Sequence, residues 1–206
     1  MEFTIIIDTA EQHPFSFSTI RNDSDKDYTR AAVSIDRRCL GRPTLNDDLV
    51  SLGRHPNSLG DYSLVGGVGR CAIERKSMND AHSTILGFND GHRARFESEL
   101  ENLSKLESAI VLVECSLDDL LVNAPEWGMK PAKVNAKILF RSVLAYQQDY
   151  KVPWLFAGSR ELAEHSAYWF LHRWWEKNLE VSARVSARGK AASGGKLTAR
   201  ELLELV

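Results

Sequence analysis

The 206-residue chain has only three cysteines, Cys39, Cys71 and Cys115, odd in number and far apart. They make neither a disulfide framework nor a CxxC metal site, so a reducing, cytoplasmic setting is expected. The six histidines are scattered without HExxH or Cys/His spacing, which argues against structural zinc. No apolar run approaches the roughly 18 residues of a membrane span. The first residues, MEFTIIIDTAEQHPF, carry acidic side chains and no basic stretch, unlike a signal peptide. An excess of cations is missing too. With 26 Lys+Arg against 28 Asp+Glu, the net charge is −2, which excludes binding nucleic acid by bulk positive charge but leaves room for a local basic groove. What is present is 43% hydrophobic residues, enough for one packed domain.

Phe3 to Ile7 is a short β-branched run and predicts a buried strand. Residues 18–60 are polar and turn-rich, and they predict a weak strand near Ala32–Ile35 followed by a long loop. Tyr62–Val65 and Cys71–Arg75 flank Gly66-Gly67-Val68-Gly69, the pattern of a hairpin. A helix is expected from Ser77 to Leu86, capped by Ser77 or Asn79, and another from His92 to Leu106 with Phe96, Leu100, Leu103 and Leu106 on one stripe. Ala109–Val113 reads as a buried strand, Ser116–Leu121 as a capped short helix, Pro131–Tyr146 as a helix, Val152–Ala157 as a strand and Ser159–Asn178 as a helix. That order predicts a three-layer α/β domain over 1–181. The Gly-, Ala-, Ser- and Arg-rich 182–196 reads as a flexible basic linker, and 197–206 as a short helix with Thr198 and Glu201 in capping-box spacing.

The chemistry concentrates in Gly60-Asp61-Tyr62, Glu74-Arg75-Lys76 and Asp80. Alternation along a strand projects Glu74 and Lys76 to one face and Arg75 to the other. A hairpin brings Asp61 beside Glu74, and two converging carboxylates make a hard oxygen site for Mg²⁺ or Mn²⁺. A lysine beside such a site can orient a water or stabilise charge developing on phosphorus. Singly, each of these residues is more often solvated surface; their order and the hairpin context favour a site. Asp8, Glu11, Asp61, Glu74 and Asp80 are five carboxylates offset only by Arg75 and Lys76, and such a cleft would repel a phosphate backbone without a divalent ion.

This arrangement resembles the GD–x(n)–ERK–x3–D signature of XPF-type structure-specific nucleases, a variant of the PD-(D/E)xK core, with Asp61, Glu74, Arg75, Lys76 and Asp80 at its fixed positions. Asp8, Glu11, Gln12, Pro14 and Phe15 are similar to that family's opening strand and turn, while Ala10 stands where the family has arginine. The likeness runs on through Arg95-Phe96, Glu99-Leu100, Val113-Glu114 and Phe140-Arg141-Ser142-Val143, and covers about residues 3–178. It implies a restriction-endonuclease-like core, a mixed central sheet flanked by helices, and the stand-alone form known from phages and bacteria. It also implies a Mg²⁺-dependent endonuclease acting on branched or flap DNA, in repair or recombination, with Mn²⁺ as a possible substitute. Asp61 and Glu74 would ligate the metal, with Asp8 nearby as a further ligand or hydrogen-bonded behind them. Lys76 would orient the attacking water, and Arg75, pointing away, would pair with Asp80 or Glu11. Members commonly form homodimers, for which the Trp-rich last helix is a candidate surface.

DNA contacts are expected at the rim: Arg93 and Arg95, the helical face of Lys130, Lys133, Lys137 and Arg141, the loop cations Arg37, Arg38, Arg42 and Arg54, and the basic tail. The stripe Tyr168, Trp169, Phe170, Trp174 and Trp175 suits core or subunit packing better than base stacking. The competing reading is a nuclease fold kept as a non-catalytic DNA- or partner-binding module, for which Ala10 is the support.

Overall fold

A computed structural model describes residues 2–21, 29–40, 59–87, 91–126 and 130–192. The strands are β1 (Thr4–Ile7), β2 (Ser34–Arg37), β3 (Tyr62–Leu64), β4 (Cys71–Lys76), β5 (Ser108–Val113) and β6 (Trp154–Phe156). The helices are α1 (Met78–Leu86), α2 (His92–Leu103), α3 (Leu117–Val122), α4 (Ala132–Tyr150) and α5 (Arg160–Ala192). The six strands form one sheet in the order β2-β1-β3-β4-β5-β6. β3 runs antiparallel to both β1 and β4, whereas β1–β2, β4–β5 and β5–β6 are parallel, so the sheet is mixed.

Two cores sandwich this sheet. Ala72, Val111, Val113 and Trp154 face α1–α4, joined by Phe96, Leu100, Leu139 and Val143. Cys71, Ile73, Ile110 and Leu112 face the other way, with Ile5, Ile7, Tyr62 and Leu64, and are covered by Ala163, Ala167 and Leu171 of α5 and by Phe15 and Phe17. Burial on both sides explains why β1 and β5 read as continuous apolar runs. The three-layer α/β expectation holds.

Element ends shift by small amounts. β2 begins at Ser34, two residues past the start expected for it, and α4 runs on to Tyr150. Ser77 caps α1, accepting from the amide of Asp80, and Ser116 forms a full capping box with Asp119. The larger correction lies at the C-terminal side. α5 continues unbroken to Ala192, through most of the segment that composition marks as linker. Ala and Arg are strong helix formers and no proline interrupts, so small residues here extend a helix, and Gly189 is tolerated at a cost of about 1 kcal/mol. Residues 193–196, the helix expected over 197–206, and Arg42 and Arg54 of the long loop lie outside the described residues.

Candidate active site

The site is built where β3 and β4 pair. Asp61 donates its backbone N–H to the Ile73 carbonyl (2.8 Å), and its own carbonyl accepts from Asp8 N (2.8 Å), so it sits between β4 and the end of β1. The residue before it must be glycine. Gly60 has φ +89°, and a Cβ there would lie 2.7 Å from the Ile73 carbonyl oxygen. The Asp61 Oδ2 then accepts the backbone N–H of Arg75 (2.7 Å), which aims its carboxylate along the edge of β4.

On β4 the alternation falls as the sequence requires. Glu74 and Lys76 lie on the α1–α4 side and are both buried, and Lys76 Nζ donates to Glu74 Oε1 at 2.5 Å. The ammonium also lies 4.8 Å from the centre of the Phe96 ring and 3.7 Å from Glu99 Oε2. Burial opposes its charge, but Glu74, Glu99 and Asp61 outweigh that and hold Lys76 above the usual lysine range. Lys76 is therefore a cationic donor here and not a base.

The carboxylates behave in the opposite sense. Burial first, and then the neighbouring Glu74, push Asp61 well above the ordinary aspartate value, against partial relief from Lys76 and the Arg75 amide. Glu99 is raised to about 7 for the same two reasons. Three acids thus crowd one ammonium. That excess of negative charge fits a divalent cation, which would relieve the repulsion between Asp61 and Glu74.

Asp8 stands where β1 ends: its Oδ1 accepts from Ala10 N (2.7 Å) and its Oδ2 from Leu40 N (2.6 Å), which holds the chain as it leaves β1 and β2. Among the described residues no group of three His, Cys, Asp or Glu side chains closes around a metal position. Asp61 and Glu74, neighbours across β3 and β4, have the chemistry that suits Mg²⁺, an ion commonly held by one or two carboxylates with water and phosphate oxygens completing its shell.

Arg75, on the opposite face, meets Glu11 in a two-pronged pair (2.9 and 3.0 Å) and Glu114 at 2.7 Å. Glu11 is therefore its partner. Asp80 instead accepts from the Ser77 hydroxyl (2.6 Å) at the start of α1. Glu114 in turn pairs with Arg160, whose guanidinium donates to the carbonyls of His13 (2.7 Å) and Pro14 (3.1 Å) and lies over the Phe15 ring. Glu11, Arg75, Glu114 and Arg160 form a chain of alternating charge that ties β1, β4, β5 and α5 together beneath the site.

The basic residues expected at the rim are on the surface. Arg93 and Arg95 pair along α2 with Glu97 (2.9 Å) and Glu99 (3.3 Å), and each is about half exposed. Lys130, Lys133, Lys137 and Arg141 are exposed, the last three on α4 opposite its buried Asn135, Leu139, Val143 and Tyr146. Arg37 is exposed and donates to the Glu11 carbonyl (3.0 Å), and Arg38 pairs with Asp36. Tyr168 is buried and Trp174 and Trp175 flank the core, leaving Trp169 as the exposed ring of the stripe. His82 is buried on the Leu120 carbonyl (2.8 Å).

Residues 17–169 match the ERCC4 domain. The chain belongs to the ERCC4 domain family. A solved structure, XPF from Aeropyrum pernix, shares the fold with a TM-score of 0.51, over 91% of this chain and 73% of that one, at 14% identity. No curated protein matches the sequence. The α/β architecture is thus that of an XPF-type nuclease domain. Within the matched span of this ERCC4 domain lie Asp61, Glu74, Arg75 and Lys76, and also Glu99, Glu114 and Arg160, to which the signature assigns nothing. Glu99 and Glu114 lie in stretches over which the family likeness runs, and Glu99 also falls on the apolar stripe of α2, three residues after Phe96 and four before Leu103. Arg160 carried no such signal in the sequence.

Proposed function

We propose that this ERCC4 domain is a Mg²⁺-dependent DNA endonuclease that hydrolyses phosphodiester bonds in branched or flap DNA. The observation that supports this best is the convergence of Asp61, Glu74 and a charged Lys76, with Asp61 raised by burial and by Glu74. Asp61 and Glu74 would hold the cation, which supplies Lewis acidity at the phosphate and neutralises the cleft. Lys76 orients the attacking water and stabilises negative charge as it builds on the phosphoryl oxygens. Arg75 acts through its backbone amide, which aims Asp61, and through the charge chain that holds β4 in place. Ala10 is exposed and gives its amide to Asp8, so it takes nothing from the three reacting side chains, which favours an active enzyme.

The exposed cations of α2 and α4 would guide the duplex arms beside the cleft. Self-association is proposed through the exposed Leu162 and Trp169 of α5, seven residues apart on one helical face. The deciding experiment incubates the protein with labelled flap, fork, single- and double-stranded DNA in Mg²⁺, Mn²⁺ or EDTA, alongside Lys76→Ala and Asp61→Asn. Metal-dependent cutting of branched substrates that both variants lose is the expected result. Intact substrates throughout, or unchanged cutting by the variants, would refute it. Tight branched-DNA binding without cutting would establish the non-catalytic module instead.

A further inference from the structure

Lys76 Nζ donates at 2.5 Å to Glu74 Oε1, one of the two oxygens of the carboxylate that the proposed function gives to the cation. A divalent ion drawing on the Glu74 carboxylate weakens its hold on the ammonium, and a buried ammonium cannot be left without a partner. A second acceptor is therefore required, and one is in place. Glu99 projects from the buried face of α2 and is only 13% exposed. Its Oε1 meets Arg95 at 3.3 Å, while its Oε2 is buried with no hydrogen-bond partner, 3.7 Å from Lys76 Nζ. An unsatisfied buried carboxylate oxygen is costly unless it receives a donor in another state.

We infer that Glu99 is a positioning residue that takes Lys76 from Glu74 when Glu74 turns to the metal. The inference rests on the nuclease reading of Asp61 and Glu74 and adds to it a role for α2. The Phe96 ring beneath the ammonium lets it swing between the two carboxylates without entering water. In the absence of cation Lys76 keeps Glu74 neutralised; in its presence Lys76 remains charged and aimed through Glu99.

The test is Mn²⁺ binding by titration calorimetry, in the wild type, Glu99→Gln, Lys76→Met and the double variant. Glu99→Gln should weaken Mn²⁺ about five- to tenfold, because Lys76 then competes for Glu74. In the Lys76→Met background the same change should matter less than twofold, since the competitor is gone. Equal weakening in both backgrounds would overturn the inference and make Glu99 a metal ligand or a bare field effect. No change in either would overturn it too. Mn²⁺ binding that is absent, or that Asp61→Asn leaves intact, would overturn the metal site itself and this inference with it.

A second measurement avoids any Lys76 variant that folds poorly. On adding Mg²⁺, the Lys76 ammonium ¹⁵N resonance should move and stay sharp in the wild type. In Glu99→Gln it should be lost to solvent exchange. The same behaviour in both proteins would refute the handover.

Discussion

Replacing Arg75 by methionine removes the centre of the charge chain while keeping the side chain's apolar length. The Arg75 side chain is 8% exposed, and those of Glu11 and Glu114 are 5% and 14% exposed. Both acids would be stranded in a low-dielectric setting, and breaking a buried ion pair from one side costs about 3–5 kcal/mol. In a chain of this length 1 kcal/mol shifts the melting temperature by about 2–4 °C, so Arg75→Met should melt about 6–20 °C lower. The structure also predicts the rescue. Adding Glu11→Gln and Glu114→Gln removes the unpaired charges but leaves an acceptor for His13 N, which now bonds Glu11 Oε1 at 2.6 Å. Arg160, about half exposed, would then rely on water and the His13 and Pro14 carbonyls. The triple variant should recover most of the loss. Urea and thermal denaturation followed by circular dichroism measure both effects. An Arg75→Met protein within 1 kcal/mol of wild type, or a triple variant no better than the single, would refute the reasoning.

Lys76→Ala should lower the cleavage rate by at least about 100-fold at saturating Mg²⁺, measured in single-turnover assays. Mg²⁺ at about 100 times its dissociation constant should stabilise the wild type by about 2.7 kcal/mol in thermal melts, and Asp61→Asn should abolish that gain. Gly60→Ala should cost about 1–3 kcal/mol by denaturant titration, from its φ of +89° and the 2.7 Å approach to Ile73 O, and should weaken Mg²⁺ binding because Asp61 is displaced. In EDTA, Glu99 gives a pH signature. Burial and Glu74 raise it to about 7 from an ordinary value near 4.5, so its contribution to stability is complete below that lower value and is lost as pH rises through about 7. Glu99→Gln lacks this loss and should gain on the wild type by up to about 3 kcal/mol between about pH 5 and 8. A gap that stays constant with pH would refute the assignment.

The parts legible in sequence were those written in local pattern. Ile5–Ile7 and Val111–Val113 announced buried strands by β-branched runs, Ser77 and Ser116 announced helix starts, and the glycine-flanked Tyr62 and Cys71 runs announced the hairpin. The division of Glu74 and Lys76 from Arg75 followed from strand alternation alone. What was not legible depended on long-range choice of partner. Nothing near Asp8 tells that its oxygens go to Ala10 and Leu40, and nothing near Arg75 selects Glu11 over Asp80, since both are acids within reach on paper. Arg160 lies 85 residues beyond Arg75 and enters only because α5 crosses the sheet. The run after Ser182 misled for a different reason: alanine and arginine serve linkers and helices equally, and composition does not separate them.

The reacting side chains all lie between positions 61 and 76, which gives the β3–β4 hairpin the look of a portable cassette. It is not one. Ile73 and Tyr62 are covered by a helix that begins at residue 160, Glu74 and Lys76 face a helix that begins at residue 92, and Asp61 is held between β4 and the chain leaving β1 at the N-terminal end. Grafted elsewhere, the hairpin would bring the letters of the motif without the walls that give its acids and its lysine their charge states. Whoever wishes to miniaturise or transplant this chemistry must carry everything from β1 to the first turns of α5.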